Sequence, residues 1–104
     1  DLAVDDGGNI YLVGKNAGIV NFGGDSLGGG GTEGFVASFD PNGIHRFSFA
    51  IGGNEVAPVG VGINPVTRDV VVGGHFRESL EVLGQPRSGI EADIFLFAIS
   101  AKQL

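Results

Sequence analysis

A two-armed segment that occurs twice constrains this chain more than any other feature. The first copy spans residues 1–14, DLAVDDGGNIYLVG, and the second spans residues 60–73, GVGINPVTRDVVVG. When the copies are superposed without a gap, apolar residues coincide at Leu2/Val61, Val4/Ile63, Tyr11/Val70, Leu12/Val71 and Val13/Val72. Each copy consists of an apolar arm, a polar turn and a second apolar arm, which predicts a β-hairpin.

The rest of the chain also favours short strands. Its 104 residues include 20 glycines, and apolar residues occur in short runs between them. No window has the 3.6-residue periodicity of a helix, so helix should be nearly absent. Sequential antiparallel strands are predicted near residues 2–5, 9–14, 34–40, 44–51, 59–63, 69–74 and 93–100.

Two further expectations concern which side chains these strands bury. The continuous apolar runs Ile10–Val13 and Val70–Val72 predict strands that are covered on both faces and are the most buried segments of the chain. The strand at residues 44–51 alternates, so one face should carry Phe47, Phe49 and Ile51 and the other Arg46, Ser48 and Ala50.

The glycine-rich segments 15–34 and 74–92 are predicted to be long loops, and residues 52–58 a shorter one. Four strands followed by three, with a period of about 60 residues, point to antiparallel four-stranded blades of a β-propeller. We therefore expect an all-β, β-propeller-like fragment of about one and three-quarter blades. Its units would be residues 1–53 and 54–104. The second unit would lack its fourth strand, which would begin near Leu104, and its unpaired edge would promote self-association.

A family resemblance agrees with this interpretation. The segments DLAVD (1–5), GNIYLVG (8–14) and EGFVASFDPNG (33–43) resemble the bacterial β-propeller repeat written AVD-GN-YVTG followed by DAFVAKLDP-G. That repeat is found in large secreted and cell-surface proteins, including those of myxobacteria. Residues 1–53 match it well and residues 60–100 more loosely, because 64–68 and 98–100 depart from the pattern. The resemblance implies an extracellular or cell-surface interaction scaffold with no shared catalytic residues.

The charge and composition of the chain limit the kinds of partner that we expect it to bind. The formal charge of −6 repels phosphate backbones and anionic lipids, so nucleic acid is not expected as a partner. No apolar run approaches the roughly 20 residues that span a bilayer, so membrane insertion is not expected either. The chain has no cysteine, which excludes disulfides and thiolate metal sites. It begins at Asp1 and is expected to be a fragment or a mature segment.

Candidate chemical motifs have simpler structural interpretations. Residues Gly28–Val36 fit one copy of a calcium-binding nonapeptide, but such sites need stacked copies, so a glycine loop entering a strand is favoured. Residues Asp5–Asn9 lack the spacing of an EF-hand and predict a turn. His45 and His75 are assigned structural or solvent roles. There is no Gly-Lys-Ser/Thr phosphate loop and no G-x-S-x-G elbow, so no catalytic residue, metal or cofactor is predicted.

Blade geometry predicts where a ligand would bind. Residues 15–34, 52–58 and 74–92 should share one face, and the turns at 5–8, 40–43 and 64–68 the opposite one. Because binding residues concentrate on irregular segments held by a rigid scaffold, the predicted ligand site contains Asn54, Glu55, His75 and Arg77. The expected function is a non-catalytic scaffold for other blades and for a protein or carbohydrate ligand. One alternative is that the chain belongs to a propeller enzyme whose active site lies in other blades. The other alternative is a calcium-stabilised adhesin module. An alternative for the long loops is that they only cover blade edges.

Overall fold

A computed structural model of the protein describes residues 1–82 and 85–101, and the side chains of these residues except 29–31, 54, 78–80 and 85–93. It contains one antiparallel sheet with the strands in chain order. The strands are β1 (Leu2–Val4), β2 (Ile10–Asn21), β3 (Ser26–Phe39), β4 (His45–Ile63), β5 (Val70–Val82) and β6 (Gln85–Ile99). The sheet curls into a half-barrel, and 72% of the protein is strand, so the all-β class is confirmed.

Both segments that were predicted to be long loops are instead strands. Residues 15–21 and 26–34 continue the β2–β3 hairpin, and residues 74–82 and 85–92 continue the β5–β6 hairpin. The prediction was wrong because glycine was taken as a loop signal. These arms are held by ladder hydrogen bonds, which glycine donates and accepts like any other residue.

The predicted loop at residues 52–58 is also wrong, because β4 continues through it as a bent strand. Gly34 pairs with Ile51 in the ladder, yet a Cβ added to Gly34 would lie 2.8 Å from Pro58 Cγ. The amide of Val61 then donates to the Asp1 carboxylate at 3.1 Å, so the second half of β4 lies back beside β1. The two predicted strands 44–51 and 59–63 are thus the two halves of one folded-back strand.

Register shifts at Gly53/Asn54, Asn54/Ala57 and Pro58/Gly60 make the bend in β4. Gly53 has a φ of 132° and Glu55 one of 49°. Glycine tolerates a positive φ readily, but for glutamate this conformation is uncommon. The predicted boundary between units 1–53 and 54–104 falls within this bend, and the division into two units stays a prediction.

The β2–β3 hairpin also folds back on its own sheet. Its register shifts between Ala17 and Ile19, where Gly18 has a φ of 84° and the facing Gly28 a φ of 94°. Beyond this point Phe22 stacks on Phe35 with ring centroids 4.7 Å apart. The first long segment therefore covers part of the outer face of the sheet.

The core lies inside the curl, between the two halves of the sheet. Its buried side chains come from β2, β3, β4 and β5, and Ile99 of β6 closes it at 8% exposure. The buried residues of these four strands are Tyr11, Val13, Val36, Ile51, Val56, Val70, Val72 and Phe76. Phe47, Phe49, Phe95 and Phe97 pack against this cluster. The most hydrophobic parts of both copies of the sequence repeat thus face one another.

Burial differs from the prediction in one respect. Tyr11 and Val13 are buried, but Ile10 and Leu12 between them are half-buried, and Val71 is half-buried between buried neighbours. The segment buried on both faces is instead Gly34–Ser38 of β3. One face of that segment meets the core, and Phe22 lies over the other, which no local pattern in the sequence indicates.

The predicted face of Arg46 is wrong because of a β-bulge. Ser38 pairs with Phe47 and Phe39 with His45, so Arg46 is the extra residue of β4. The bulge turns Arg46 to the same face as Phe47, where its guanidinium donates to Ser38 Oγ at 2.9 Å and to Tyr11 OH at 3.1 Å. It also leaves His45 and Ser48 together on the other face, with Nε2 and Oγ 2.9 Å apart.

Candidate functional site

Three of the four predicted site residues lie around one cleft. Glu55 lies at the bend of β4, and His75 and Arg77 lie on β5. The cleft has a volume of about 430 Å³ and is lined by all three. The fourth residue, Asn54, pairs with Arg77 through the backbone, but its side chain is outside the described residues. The sequence prediction therefore identified residues that the fold brings together.

The walls of the cleft come from four different strands. Lys15 on β2 and Thr32 on β3 line it together with the residues of β4 and β5. Neither Lys15 nor Thr32 was among the predicted ligand residues, although their segment 15–34 was assigned to the same face. Lys15 pairs with Gly34 and Asn16 with Glu33 in the β2–β3 ladder. Thr32 precedes Glu33 on β3, so it lies two ladder positions from Lys15.

The base of the cleft is apolar and closed. Val56 is 0% exposed and Phe76 is 4% exposed, and both belong to the core. By contrast, Glu55, His75 and Arg77 are exposed. Polar side chains thus surround an apolar base, a combination that small-ligand sites also have.

One ion pair crosses the cleft. Arg77 Nη1 lies 3.5 Å from Glu55 Oε2, and the side chains are 55% and 66% exposed. This separation is at the outer limit of a hydrogen bond, and solvent screens the pair. The pair therefore contributes little to stability.

The opposite end of the half-barrel is built from three tight turns with shared chemistry. Asp5 Oδ1 accepts from the amides of Gly7 and Asn9, each at 2.9 Å. Asp40 Oδ1 accepts from Asn42 and Ile44 in the same way, at 2.8 and 2.9 Å. Asn64 accepts from Val66 and Thr67 in the second sequence copy. The degenerate turn of that copy thus keeps the side-chain acceptor, although both acids are lost.

These turns lie close to one another. Asp6 and Arg68 form an ion pair of 2.8 Å between the first and third turns, and a cleft of about 370 Å³ separates them. A Cβ on Gly8 of the first turn would lie 3.0 Å from Pro41 of the second. The tight turns are therefore at one end of the molecule, away from the cleft that contains Glu55.

The carboxylate of Asp5 accepts structural hydrogen bonds from its own turn and from Tyr11. Besides the two amides it accepts from Asn9 Nδ2 at 3.1 Å and from Tyr11 OH at 2.9 Å. Desolvation by itself raises the pKa of Asp5, but the hydrogen bonds from Asn9, Tyr11 and Gly7 together outweigh it and lower that pKa below its ordinary value. An aspartate saturated in this way fits the turn interpretation better than a calcium loop.

Tyr11 connects Asp5 to the bulged Arg46. Desolvation raises the pKa of Tyr11, the hydrogen bond from Arg46 opposes this, and the acceptor Asp5 adds to it, with a net rise. The Arg46 guanidinium also lies 5.7 Å from the centre of the Tyr11 ring. This chain of contacts ties the first turn to β4, and the sequence carries no signal for it because it depends on the bulge.

The other candidate motifs acquire structural roles. Residues Gly28–Val36 lie within β3, paired with β2, rather than in a stacked coil. His45 lies against the β2–β3 turn, where a Cβ on Gly24 would approach its Cε1 to 2.6 Å. Ser48, its hydrogen-bond partner, sits in the ladder opposite Ala37. Over the ranges that the structure covers, no three His, Cys, Asp or Glu side chains are grouped as metal ligands.

Comparisons with known proteins leave the chain without a family assignment. No family model, no curated protein and no solved structure matches it. Within residues 1–82 and 85–101, no helix is long and apolar enough to cross a membrane.

Proposed function

We propose that this chain is a non-catalytic binding module built from propeller-type repeats of a secreted or cell-surface protein. The observation that carries the binding role is the cleft of about 430 Å³ around Glu55, His75 and Arg77. Four strands contribute its walls, so its polar groups are held by backbone ladders rather than by mobile loops. A site of this kind binds without a large ordering cost.

Apolar residues on the outside of the curl support the repeat part of the proposal. Leu2 is 56% exposed and Val4 is 54% exposed on one side, and Leu96 is 76% exposed on the other. Leu12 and Val71 lie half-buried on strands whose opposite faces are fully buried. Strands that are apolar on both faces are typical of layers covered from both sides, which is the place of a blade between neighbouring blades.

The binding role is tested with two matched triple variants. One replaces Glu55, His75 and Arg77 by alanine at the cleft, and the other replaces Asp6, Asn42 and Arg68 at the turn end. Asp5 is left unchanged because its hydrogen bonds hold the first turn. Both variants and the wild type are screened against immobilised extracellular glycans and soluble protein domains, after thermal melting has shown equal stability.

The cleft variant should lose the ligands that the wild type retains, and the turn variant should keep them. Loss of binding in the turn variant alone would show that the ligand binds at the turn end and not in the cleft. The repeat part is tested separately by joining two copies of the chain in tandem. The tandem protein should melt at a higher temperature than the single copy if outer faces pack on one another.

A further inference from the structure

The described charged side chains of the cleft around Glu55 are mostly positive, whereas the net charge of the protein is negative. Among the side chains that the structure describes, the lining of the cleft includes the cations Lys15 and Arg77 and the carboxylate of Glu55. The chain as a whole has a formal charge of −6. Two neighbouring cations on an otherwise acidic protein favour the approach of an anion to this cleft.

Arg77 is the group best suited to hold such an anion. Its guanidinium is more than half exposed, and its ion pair with Glu55 is long at 3.5 Å. Arginine binds carboxylates through two parallel hydrogen bonds, with a strength that an exposed single contact does not reach. A ligand carboxylate entering the cleft would therefore bind Arg77 better than Glu55 does.

Glu55 occupies the position of this ligand group. Its backbone has a φ of 49°, which is unusual for a non-glycine residue, and the bend of β4 directs its side chain towards Arg77. Strained residues persist only where the surrounding structure imposes them, and they cluster at ligand sites. The Glu55 carboxylate acts as an internal substitute that is displaced on binding.

The shape of the cleft favours a compact ligand over an extended peptide. The backbone along its wall is already paired, Asn54 with Arg77 and Ala57 with His75. A peptide strand would find no free edge there, since strand addition needs an unpaired ladder. A volume of about 430 Å³ is at the lower end of the range for small-ligand pockets, and exposed Thr32 and His75 offer partners for hydroxyl groups.

We propose that the cleft binds a sugar acid, a uronic-acid type of ligand whose carboxylate displaces Glu55 from Arg77. This inference rests on the proposed binding function and adds the chemical class of the ligand. Lys15 supplies a second positive charge, and Thr32 and His75 bind the sugar hydroxyls.

The test is isothermal titration of the intact chain with three probes: digalacturonate, its neutral counterpart galactobiose, and succinate as a carboxylate without a sugar. Digalacturonate should bind most tightly, and its affinity should fall as salt is raised, because the contact is exposed. Galactobiose should bind at least about tenfold more weakly, since it lacks the charge-assisted contact. Succinate should also bind more weakly, because it has no hydroxyl groups.

Two pairs of variants separate the cleft from the turn end. Glu55→Gln removes the internal competitor and should tighten digalacturonate binding by up to about fivefold, the size of an exposed ion pair. Arg77→Gln should weaken it by about tenfold or more, and Arg77→Lys by less, because lysine keeps the charge but not the paired donors. The matched changes Asp6→Asn and Arg68→Gln alter the exposed ion pair at the other end and should change nothing.

Several results would overturn the inference. Equal affinity for galactobiose would show that the carboxylate is irrelevant, and equal affinity for succinate would remove the sugar from the ligand class. If Arg68→Gln weakened binding as much as Arg77→Gln, the ligand would not bind specifically in the cleft around Glu55. If no probe binds, but another ligand from the screen is lost in the cleft triple variant, the binding function stands and the sugar-acid assignment fails.

Discussion

The fold-back of β4 can be tested at a pair of adjacent glycines on β5. Gly74 faces the bend, and a Cβ added there would overlap the carbonyl oxygen of Ala57 and lie 2.7 Å from Pro58 Cα and 2.8 Å from a Phe95 ring carbon. Two of these neighbours are backbone atoms, which yield only if the ladder pair between Pro58 and Gly74 opens. Forced overpacking costs about 1–3 kcal/mol, and a disrupted hydrogen bond adds about 1 kcal/mol. The lower entropy of the unfolded alanine chain returns about 0.4–1 kcal/mol. Gly74→Ala should therefore lower the free energy of unfolding by roughly 2–3 kcal/mol.

Gly73 provides the control, because its added Cβ would meet Leu96 Cδ1 at 3.4 Å, an ordinary contact. Gly73→Ala should be neutral or slightly stabilising. Urea unfolding followed by circular dichroism measures both free energies, and a loss of 2 kcal/mol corresponds to a melting temperature lower by roughly 8–16 °C in a domain of this size. If Gly74→Ala unfolds within 0.5 kcal/mol of Gly73→Ala, as is usual for surface changes, the second half of β4 does not lie where this structure has it.

Three other predictions concern the core, the first turn and the last strand. Val13→Asp, at a side chain only 2% exposed, should cost about 3 kcal/mol or more, whereas Leu12→Asp should cost about 1 kcal/mol in urea unfolding; equal losses would contradict the burial pattern. Since the folded pKa of Asp5 is lowered, its carboxylate stabilises the fold above the unfolded pKa of about 3.9, and this contribution is lost as pH falls through the folded value. Asp5→Asn should therefore be less stable than wild type at pH 6, with the difference shrinking in unfolding curves below pH 4; a constant difference would refute the linkage. Finally, β6 is the last strand of the described sheet and exposes Leu96, so sedimentation velocity should show self-association that Leu96→Lys reduces and Val66→Lys, at an exposed turn residue, does not.

The parts of this fold that follow local rules are predictable from the sequence. The hairpin turns were located correctly because Asp5, Asp40 and Asn64 each place a side-chain acceptor before residues that tolerate a turn. The first residues of β2 and β5 were found because apolar β-formers are concentrated there. The extended arms of the hairpins were missed because glycine has low strand propensity and carries no side-chain alternation, although its backbone completes the ladder.

The candidate site was also only partly predictable from the sequence. Glu55, His75 and Arg77 line one cleft in the structure, and their grouping from the sequence rested only on the order of turns and connections. Lys15 and Thr32 also line the cleft but were not named, because the prediction put the whole segment 15–34 on this face without a register to say which of its side chains reach the cleft. The side-chain network of Arg46 was missed because a single extra residue in β4 reverses its face, and no residue type at that position signals a bulge.

The corrected fold changes what the candidate site can do. Had Lys15, Thr32, His75 and Arg77 been on loops, a ligand would have to order those loops on binding, and part of the interaction energy would be spent on that ordering. In the structure they lie on strands whose backbones are paired on both sides of the cleft, so only side-chain rotations remain to be fixed. Glu55 and Arg77 are the exceptions. Glu55 occupies a bend with register shifts on both sides, and Arg77 lies beside register shifts in its ladders with β4 and with β6. The residue that a ligand would displace and the residue that would bind its carboxylate therefore lie together on the irregular part of the cleft, while Lys15 is held by regular pairing with Gly34.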